Sequence, residues 1–238
     1  MKLIKEGKTK SVYLLDNGNI LLKFKDSVTG HIATGEHDPG GNQVVGEIKG
    51  VGLGGLKITK YYFELLKKKL PKIKTHYIES DLKEGTMTVV PATLFGKGIE
   101  VVIRFIATGS FIKRYGEYIN NGDSLVKTIN GKKKALIEFT LKDDGRDDPP
   151  ITKTTLLYLG LLTKKEIKEI KDMSQKIAFM ILKDLKEKKL DLYDIKFEFA
   201  RNKKTKKVML VDEISGGIMR VYKDDKKLDY IELGKYFD

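Results

Sequence analysis

The sequence has 238 residues, of which 40% are hydrophobic, so it can bury the core of one large or two small domains. It contains no cysteine and three histidines, which excludes disulfides and cysteine-ligated zinc and argues against a histidine-rich metal site. The formal net charge of +13 suits either nucleic acid or phosphorylated small molecules as partners.

No apolar run is long enough to cross a bilayer, and the first six residues lack the hydrophobic stretch of a signal peptide. We therefore expect a cytoplasmic protein without a membrane partner. With so few histidines and no cysteine, any metal ion should be held by carboxylate oxygens.

The N-terminal third predicts a β-hairpin followed by a glycine-rich loop. Residues 11–15 and 20–24 are alternating apolar runs, and Asn17-Gly18 between them is a strong turn signal. Glycines recur through residues 30–55, and their entropic cost disfavours regular structure. That stretch is predicted to be a mobile loop.

A short helix is predicted over residues 59–69, followed by strands at 74–79 and 86–90. Residues 99–107 form a continuous β-branched run, which is typical of a strand buried on both faces. A second domain is predicted to begin near Gly96, which divides the chain into domains 1–95 and 96–238.

The clearest predicted element is a long helix that begins at Thr163. Thr163 and Glu166 have the spacing of a capping box. An apolar stripe at helical spacing follows: Ile167, Ile170, Met173, Ile177, Met180, Ile181 and Leu185. A hairpin over residues 194–199 and 207–213, joined by a polar turn, is predicted after the helix.

A phosphate-binding candidate lies at the start of the first hairpin. Gly7-Lys8-Thr9-Lys10 offers backbone amides, a hydroxyl and two ammonium groups, which are the donors that phosphates require. It is not a Walker loop, because the GxxxxGK[ST] frame is absent and a strand follows. A hairpin lid over nucleotide phosphates is one interpretation, and an ordinary basic turn is the other.

The final hairpin carries candidate metal ligands. Side chains alternate along a strand, so Lys196 and Glu198 lie on the face opposite the apolar residues, and Asp212 is predicted to share a face with core residues of the partner strand. A buried carboxylate needs a compensating cation. Glu198 and Asp212 could hold one Mg²⁺ through an ATP phosphate, and a structural salt bridge between Lys196 and Asp212 is the alternative.

Two further segments contain charged residues whose charge must be compensated by a partner or by solvent. Residues 142–150 crowd four carboxylates, among them Asp148, which indicates either a cationic partner or a solvated loop. Arg104 interrupts the predicted buried strand, which indicates an anionic ligand or an internal salt bridge to Glu100. Gly109-Ser110 after it would add a close backbone approach and a hydroxyl donor.

The order of these motifs resembles the phosphoribosylaminoimidazole-succinocarboxamide synthase family over nearly the whole chain. That order is Gly-Lys-x-Lys, Glu-Val-Val-x-Arg with Ala-x-Gly-Ser, Lys-x-Asp with Asp-Pro, Asp-x-Lys-x-Glu-Phe, and Asp-Glu-Ile-Ser. The resemblance implies a ligase of purine biosynthesis that joins the carboxylate of a phosphorylated imidazole ribonucleotide to L-aspartate. ATP is consumed, ADP and phosphate are released, and Mg²⁺ is required.

The resemblance also implies an α+β fold in which a small antiparallel N-terminal sheet lies over a larger α+β domain. The ATP site is expected in the cleft, in an architecture related to ATP-grasp enzymes and kinases. A homodimer is expected, with ATP, the ribonucleotide and aspartate as partners. Three anionic substrates in one cleft account for a basic protein without nucleic acid.

Site residues follow from the resemblance in four groups. The catalytic candidates are Lys10, Lys142 and Asp212. The cofactor-binding candidates are Lys8, Lys10, Lys142, Lys196 and Glu198. The ribonucleotide-binding candidates are Arg104, Ser110 and Arg220. The metal-binding candidates are Glu198, Asp212 and Asp148.

The sequence departs from the family pattern at two segments. Ser215-Gly216-Gly217 replaces the usual Ser-Pro-Asp before Arg220, which removes an acidic contact. Residues 29–42 are a longer glycine-rich stretch containing His31 and His37, so no site role is carried over there.

Two other function classes compete with the ligase. A small-molecule kinase would share the lid, the lysines and the metal carboxylates, although the His-Arg-Asp and Asp-Phe-Gly signatures of protein kinases are absent. A basic RNA-binding module would need interleaved aromatic residues or an RNP-type strand, and the lysines instead fall on a helix face and in turns.

Overall fold

The computed structural model describes residues 1–31, 36–37 and 43–237. The strands, in chain order, are β1 (Lys2–Glu6), β2 (Lys10–Leu14), β3 (Ile20–Phe24), β4 (Ser27–His31), β5 (Glu36–His37), β6 (Gln43–Glu47), β7 (Tyr77–Asp81), β8 (Thr86–Val89), β9 (Ala92–Leu94), β10 (Ile99–Arg104), β11 (Val126–Ile129), β12 (Lys132–Leu141), β13 (Asp191–Asn202), β14 (Val208–Val211), β15 (Met219–Lys223) and β16 (Lys226–Lys227). The α-helices are α1 (Val51–Lys69), α2 (Ser110–Tyr115), α3 (Lys153–Tyr158), α4 (Lys164–Glu187) and α5 (Tyr230–Gly234). Helices combined with antiparallel sheets confirm the predicted α+β class.

The described chain forms two compact units. The first comprises Met1–Phe95, Phe199–Ile218 and Asp229–Asp238, and the second comprises Gly96–Glu198 and Met219–Leu228. Each unit draws on more than one stretch of chain, and the division into domains 1–95 and 96–238 stays a prediction. Among the described helices, none is both long and apolar enough to span a bilayer.

The first unit contains an antiparallel sheet in the order β1-β2-β3-β8-β7. The predicted N-terminal hairpin is confirmed, with Val12 opposite Leu22 and Leu14 opposite Ile20. Its turn contains Gly18 at φ +81°, a conformation that glycine adopts without steric strain.

The predicted loop over residues 30–55 is wrong in the part that the structure describes. Strand β4 pairs with both β5 and β6 in a separate three-stranded sheet. Ser27 lies opposite Glu47 at one end of the β4–β6 ladder. The hydrogen bonds of this ladder offset the entropic cost of the glycines, which composition alone could not anticipate.

Helix α1 begins at Val51, eight residues before the predicted start. A Cβ on Gly52 would lie 2.5 Å from the carbonyl oxygen of Lys25, so the helix reaches this close packing only with glycine there. Asp26 Oδ1 accepts a hydrogen bond from the Gly52 amide at 3.0 Å, which satisfies one unpaired donor of the first turn. Packing of Leu56 and Tyr62, both fully buried, then stabilises the glycine-rich first turn.

The second unit contains a sheet in which β11, β12, β10, β13, β15 and β16 are neighbours in that order. All six residues of β10 are buried, which confirms the predicted strand, although it ends at Arg104 rather than at residue 107. Strand β10 pairs with β13 so that Arg104 lies opposite Asp194 and Glu100 opposite Glu198. This register places the polar residues of both strands on one face.

Helix α4 confirms the predicted capping box and apolar stripe. The Thr163 side chain accepts a hydrogen bond from the Glu166 amide, and the Glu166 carboxylate accepts one from the Thr163 amide. The predicted stripe is buried apart from Met180, which is half-buried. Burial of the apolar face and capping of the helix N-terminus therefore both stabilise α4.

Replacing Thr163 with alanine is expected to lower the free energy of unfolding by about 1 kcal/mol, because the first turn of α4 loses its cap. Urea unfolding measures the change. Thr205→Ala, at an exposed turn position, is a matched control and should shift stability by less than about 0.5 kcal/mol. Equal effects of the two substitutions would contradict the capping assignment.

Candidate active site

The predicted phosphate-binding segment is a tight turn between β1 and β2. The Gly7 amide donates a hydrogen bond to the Lys10 carbonyl at 2.8 Å, and a Cβ on Gly7 would lie 2.7 Å from that oxygen. The Lys25 ammonium donates to the Gly7 carbonyl at 2.9 Å. The turn thus has a defined backbone shape that requires glycine, and phosphate binding there stays a prediction.

Lys10 lies between two carboxylates of the first unit. Its ammonium is 3.0 Å from Asp212 Oδ1 and donates a short hydrogen bond to Glu213 Oε1. Burial lowers the pKa of Lys10, but the charges of Asp212 and Glu213 outweigh it and raise the pKa above its ordinary value. Lys10 is therefore a cation at every physiological pH.

Asp212 is not part of a strand, and its predicted place in register with core residues is wrong. Strand β14 ends at Val211, and Asp212 follows at φ +65°, in the left-handed region. All four residues of β14 are buried, whereas 25% of the Asp212 side chain is exposed. The backbone bend removes the carboxylate from the core and directs it towards Lys10.

His76 is a site residue that the sequence did not reveal. It is 4% exposed, and its Nε2 lies 2.9 Å from the Asp212 carbonyl oxygen. Burial lowers the pKa of the imidazole to about 4, so the ring is neutral at pH 7 and Nε2–H donates to that carbonyl. A single histidine in a predicted strand gave no signal for this role.

The buried His76 predicts that the metal-free chain loses stability as the pH falls. The unfolded chain binds the imidazole proton below its ordinary pKa of 6.5, whereas the folded chain binds it only near pH 4. Between these values folding becomes less favourable by about 3 kcal/mol. Urea unfolding in EDTA at pH 7 and pH 4 should show the wild type losing about 3 kcal/mol more than His76→Gln. Equal losses would contradict the assignment.

A second charged cluster lies on the polar face of β10 and β13. Lys196 donates a hydrogen bond to Glu100 at 2.7 Å, and Thr140 donates to the other oxygen of Glu100 at 2.9 Å. Lys142 donates a short hydrogen bond to Glu198. Lys196 thus pairs with Glu100, which replaces both predicted alternatives, a Lys196–Asp212 bridge and an Arg104–Glu100 bridge.

Burial lowers the pKa of Lys196, but the Glu100 charge outweighs it, with smaller contributions from Glu198 and Asp148, and the net effect raises that pKa. Lys196 therefore stays charged within an acidic surrounding. The predicted candidates Lys142, Lys196 and Glu198 come together in one unit, and Asp148 contributes to the same electrostatic field.

The acidic segment after β12 is folded by its own hydrogen bonds. Asp148 Oδ1 accepts from the Asp143 amide at 2.7 Å, and Arg146 Nε donates to Asp143 Oδ2 at 2.8 Å. Asp147 and Asp148 both adopt positive φ, which aspartate tolerates better than most residues. The Arg146 hydrogen bond lowers the pKa of Asp143. The segment is an ordered turn, and its central residues 144–147 are exposed to solvent as the solvated-loop alternative predicted.

Arg104 lies at the centre of a buried ionic network in the second unit. It donates to Asp194 at 2.9 Å, to Glu138 at 2.6 Å and to the Ser110 hydroxyl at 3.0 Å. Arg220 donates to the same Asp194 oxygen at 2.7 Å. The structure thus brings together the three residues predicted to bind the ribonucleotide, Arg104, Ser110 and Arg220. Asp194 is the carboxylate that joins the two arginines.

Gly109 allows this cluster to form. Its φ is +56°, and a Cβ there would lie 2.9 Å from Cζ of Arg220. The Arg220 guanidinium therefore packs closely on the backbone of Gly109, and the predicted approach of an anionic ligand there stays a prediction. Asp194 and Glu138 were missed from the sequence, although Asp194 begins the Asp-x-Lys-x-Glu pattern whose alternation indicates one polar face.

The predicted metal ligands fall in both units. Asp212 belongs to the first unit, and Glu198 and Asp148 belong to the second. Among the described residues, no group of three or more acidic or histidine side chains is arranged around one point. Mg²⁺ commonly binds one or two carboxylates together with substrate phosphates, so the paired carboxylates of Asp212 and Glu213 suit it chemically.

Comparisons with known proteins identify the family to which the chain is similar. The family model described as SAICAR synthetase matches residues 3–235. The phosphoribosylaminoimidazole-succinocarboxamide synthase of Clostridium tetani is 47% identical over 235 residues, which are 99% of this chain and 98% of that protein. The enzyme of the same name from Sulfolobus acidocaldarius is 36% identical, over 94% of this chain and 85% of that protein.

Solved structures give the same result. The synthase from Ehrlichia chaffeensis superimposes with a TM-score of 0.83 at 26% identity and covers 99% of this chain, with 98% of its own chain matched. A SAICAR synthetase in complex with ADP superimposes with a TM-score of 0.78 at 26% identity, covering 94% of this chain and 87% of that chain. This chain belongs to the SAICAR synthetase family.

Proposed function

We propose how the residues of this chain carry out the reaction of its family. The chain is an ATP-dependent ligase of purine biosynthesis that joins the carboxylate of a phosphoribosyl aminoimidazole carboxylate to the amine of L-aspartate. The observation that carries the proposed roles is Lys10, held between Asp212 and Glu213 beside the glycine turn at Gly7. In the proposed roles, Lys10 supplies positive charge to the ATP phosphates, and the Asp212 carboxylate supplies a ligand for Mg²⁺.

The chemistry requires activation of a carboxylate. A carboxylate does not react with an amine until one of its oxygens becomes a leaving group. In the proposed sequence, the carboxylate oxygen attacks the γ-phosphorus of ATP, the bond to ADP breaks, and an acyl phosphate forms. The aspartate amine then attacks the acyl carbon, loses a proton and expels phosphate, leaving the amide.

The first unit is proposed to bind the ATP phosphates. Lys8 and Lys10 lie in and beside the glycine turn and supply positive charge to phosphate oxygens. Asp212 would hold Mg²⁺ on its exposed side, with Glu213 keeping Lys10 in place. When bound, Mg²⁺ offsets charge on the transferring phosphoryl group.

The second unit is proposed to bind the ribonucleotide. Ser110 and Arg220 offer a hydroxyl and a guanidinium for its phosphate, and Arg104 holds both Ser110 and Asp194 in position. Lys142 and Lys196 are proposed to contact the nucleotide, and Glu198 and Asp148 are proposed to serve the metal through it. The ion pairs in the present structure would be exchanged for ligand contacts on binding.

Phosphate release from ATP tests this proposal against a phosphotransferase. Release should require both L-aspartate and the imidazole ribonucleotide, and the product should contain the new amide bond by mass spectrometry. Release that needs the ribonucleotide alone, with a stable phosphorylated product, would favour a small-molecule kinase instead.

We further propose that the chain works in the cytoplasm as a homodimer, as its family resemblance suggests. Its substrates are ATP, the ribonucleotide and L-aspartate, with no role for nucleic acid or a membrane. Light scattering during size-exclusion chromatography tests the dimer, and the mass of a single 27.0 kDa chain at micromolar concentration would contradict it.

A further inference from the structure

The hydrogen bond from His76 to Asp212 connects a buried core residue to the proposed metal ligand. His76 itself is anchored on both sides, because its amide donates to the Leu210 carbonyl and its carbonyl accepts from the Val90 amide, each at 2.8 to 2.9 Å. Its ring packs 5.7 Å from the Phe63 ring. These contacts fix the position of the imidazole. Its Nε2–H can therefore donate to the nearby Asp212 carbonyl but not to more distant acceptors.

This hydrogen bond stabilises the conformation of Asp212. Aspartate tolerates positive φ better than most residues, but contacts of its own Cβ still disfavour it, so groups that hold the backbone there fix the conformation. Its backbone oxygen accepts the hydrogen bond from His76 Nε2, while its carboxylate lies 3.0 Å from the Lys10 ammonium. The peptide after Asp212 is thus oriented by His76, and the carboxylate direction depends on that peptide.

We propose that His76 is a positioning residue that holds Asp212 in its left-handed conformation, so that the carboxylate meets Lys10 and Mg²⁺-nucleotide. This inference rests on the proposed function, because it concerns the metal-binding role given to Asp212. His76 does not contact substrate. It acts through the backbone carbonyl of Asp212 alone.

Glutamine and asparagine at position 76 separate positioning from packing. Both carry the same amide, but the glutamine NH₂ group can occupy the place of imidazole Nε2, whereas the shorter asparagine cannot. His76→Asn is expected to raise the Mg²⁺ concentration for half-maximal turnover, or lower kcat, by about 10- to 100-fold. His76→Gln should keep most of the wild-type activity. The KM for the ribonucleotide should not change in either variant.

A cavity variant provides the control for a purely structural effect. Leu66 in α1 is 1% exposed in the same unit, and Leu66→Ala should destabilise the fold while leaving the Mg²⁺ requirement unchanged. If Leu66→Ala and His76→Asn alter the Mg²⁺ requirement equally, or if Asn and Gln at position 76 behave alike, the proposal is wrong.

Binding of Mg²⁺-ADP by calorimetry gives a second test that does not depend on turnover. His76→Asn should weaken binding in the wild-type background and have no further effect in an Asp212→Asn background, since both changes act through one residue. Equal effects in both backgrounds would overturn the proposal. If the wild-type chain binds Mg²⁺-ADP but does not form the amide, the proposed function is wrong. The effect of His76→Asn on Mg²⁺-ADP binding in the two backgrounds would still test the role of His76.

Discussion

Asp212→Asn is expected to lower turnover by about 10²- to 10³-fold with the fold intact. The carboxamide cannot replace the negative oxygen that Mg²⁺ needs, so the charge on the transferring phosphoryl group is less well balanced. The fold should survive, because Glu213 still pairs with Lys10 and the Asp212 side chain is partly exposed.

Steady-state phosphate release and thermal unfolding measure the two parts of this expectation. Asp16→Asn is a matched control, since that carboxylate is 97% exposed and pairs with the N-terminal amine. The control should have wild-type turnover. Normal turnover in Asp212→Asn would refute the metal assignment, and unfolding of that variant would show that the Lys10 pairing is chiefly structural.

Arg104→Ala is expected to reduce the free energy of unfolding by about 3 kcal/mol. Arg104 is 3% exposed, and its removal leaves Asp194 and Glu138 with less compensation in a buried setting. Arg220 and Arg114 still pair with these carboxylates. The expected loss is therefore at the lower end of the range of about 3 to 5 kcal/mol for breaking a buried ion pair. The family resemblance had assigned Arg104 to ribonucleotide binding rather than to stability.

Urea unfolding of Arg104→Ala beside Arg146→Ala tests this energy. Arg146 also pairs with a carboxylate, but it is 67% exposed, so its loss should cost less than about 1 kcal/mol. At a temperature where Arg104→Ala remains folded, the KM for the ribonucleotide should rise while that for ATP stays constant. If both variants are equally stable, Arg220 and Arg114 alone satisfy the network.

Local sequence signals correctly predicted the elements that are stabilised by contacts between residues close in sequence. The Asn17-Gly18 turn and the Thr163–Glu166 capping box were both recognisable, because their hydrogen bonds join residues a few positions apart. The start of α1 was missed because Gly52 is favoured by the nearness of the Lys25 carbonyl, a contact that exists only in the folded chain.

The candidate residues of the second unit were predictable one by one, but their partners were not. Arg104 was recognised as a charge in a buried strand, and Glu100 was the nearest carboxylate in sequence. Strand register instead places Asp194 opposite Arg104. Register is decided by pairing across about 90 residues, which a single sequence does not specify.

Asp212 and His76 show the same limit in the first unit. Alternation along β14 placed Asp212 in the core, but the strand ends at Val211 and the backbone bends at Asp212. His76 reaches Asp212 because its segment lies beside β14, with Thr75 bridged to Leu210. The pairing of distant segments, rather than any local pattern, produced the site.

The alternation of β13 fixes the spacing between two charged clusters of the second unit. Asp194, Lys196 and Glu198 lie on one face, so the strand itself acts as a spacer between the arginine network and the Lys142 pair. Four residues of extended chain span about 13 Å. Deleting one residue between Asp194 and Glu198 would turn one end of this row into the core, so the distance between the two clusters can change only in steps of two residues.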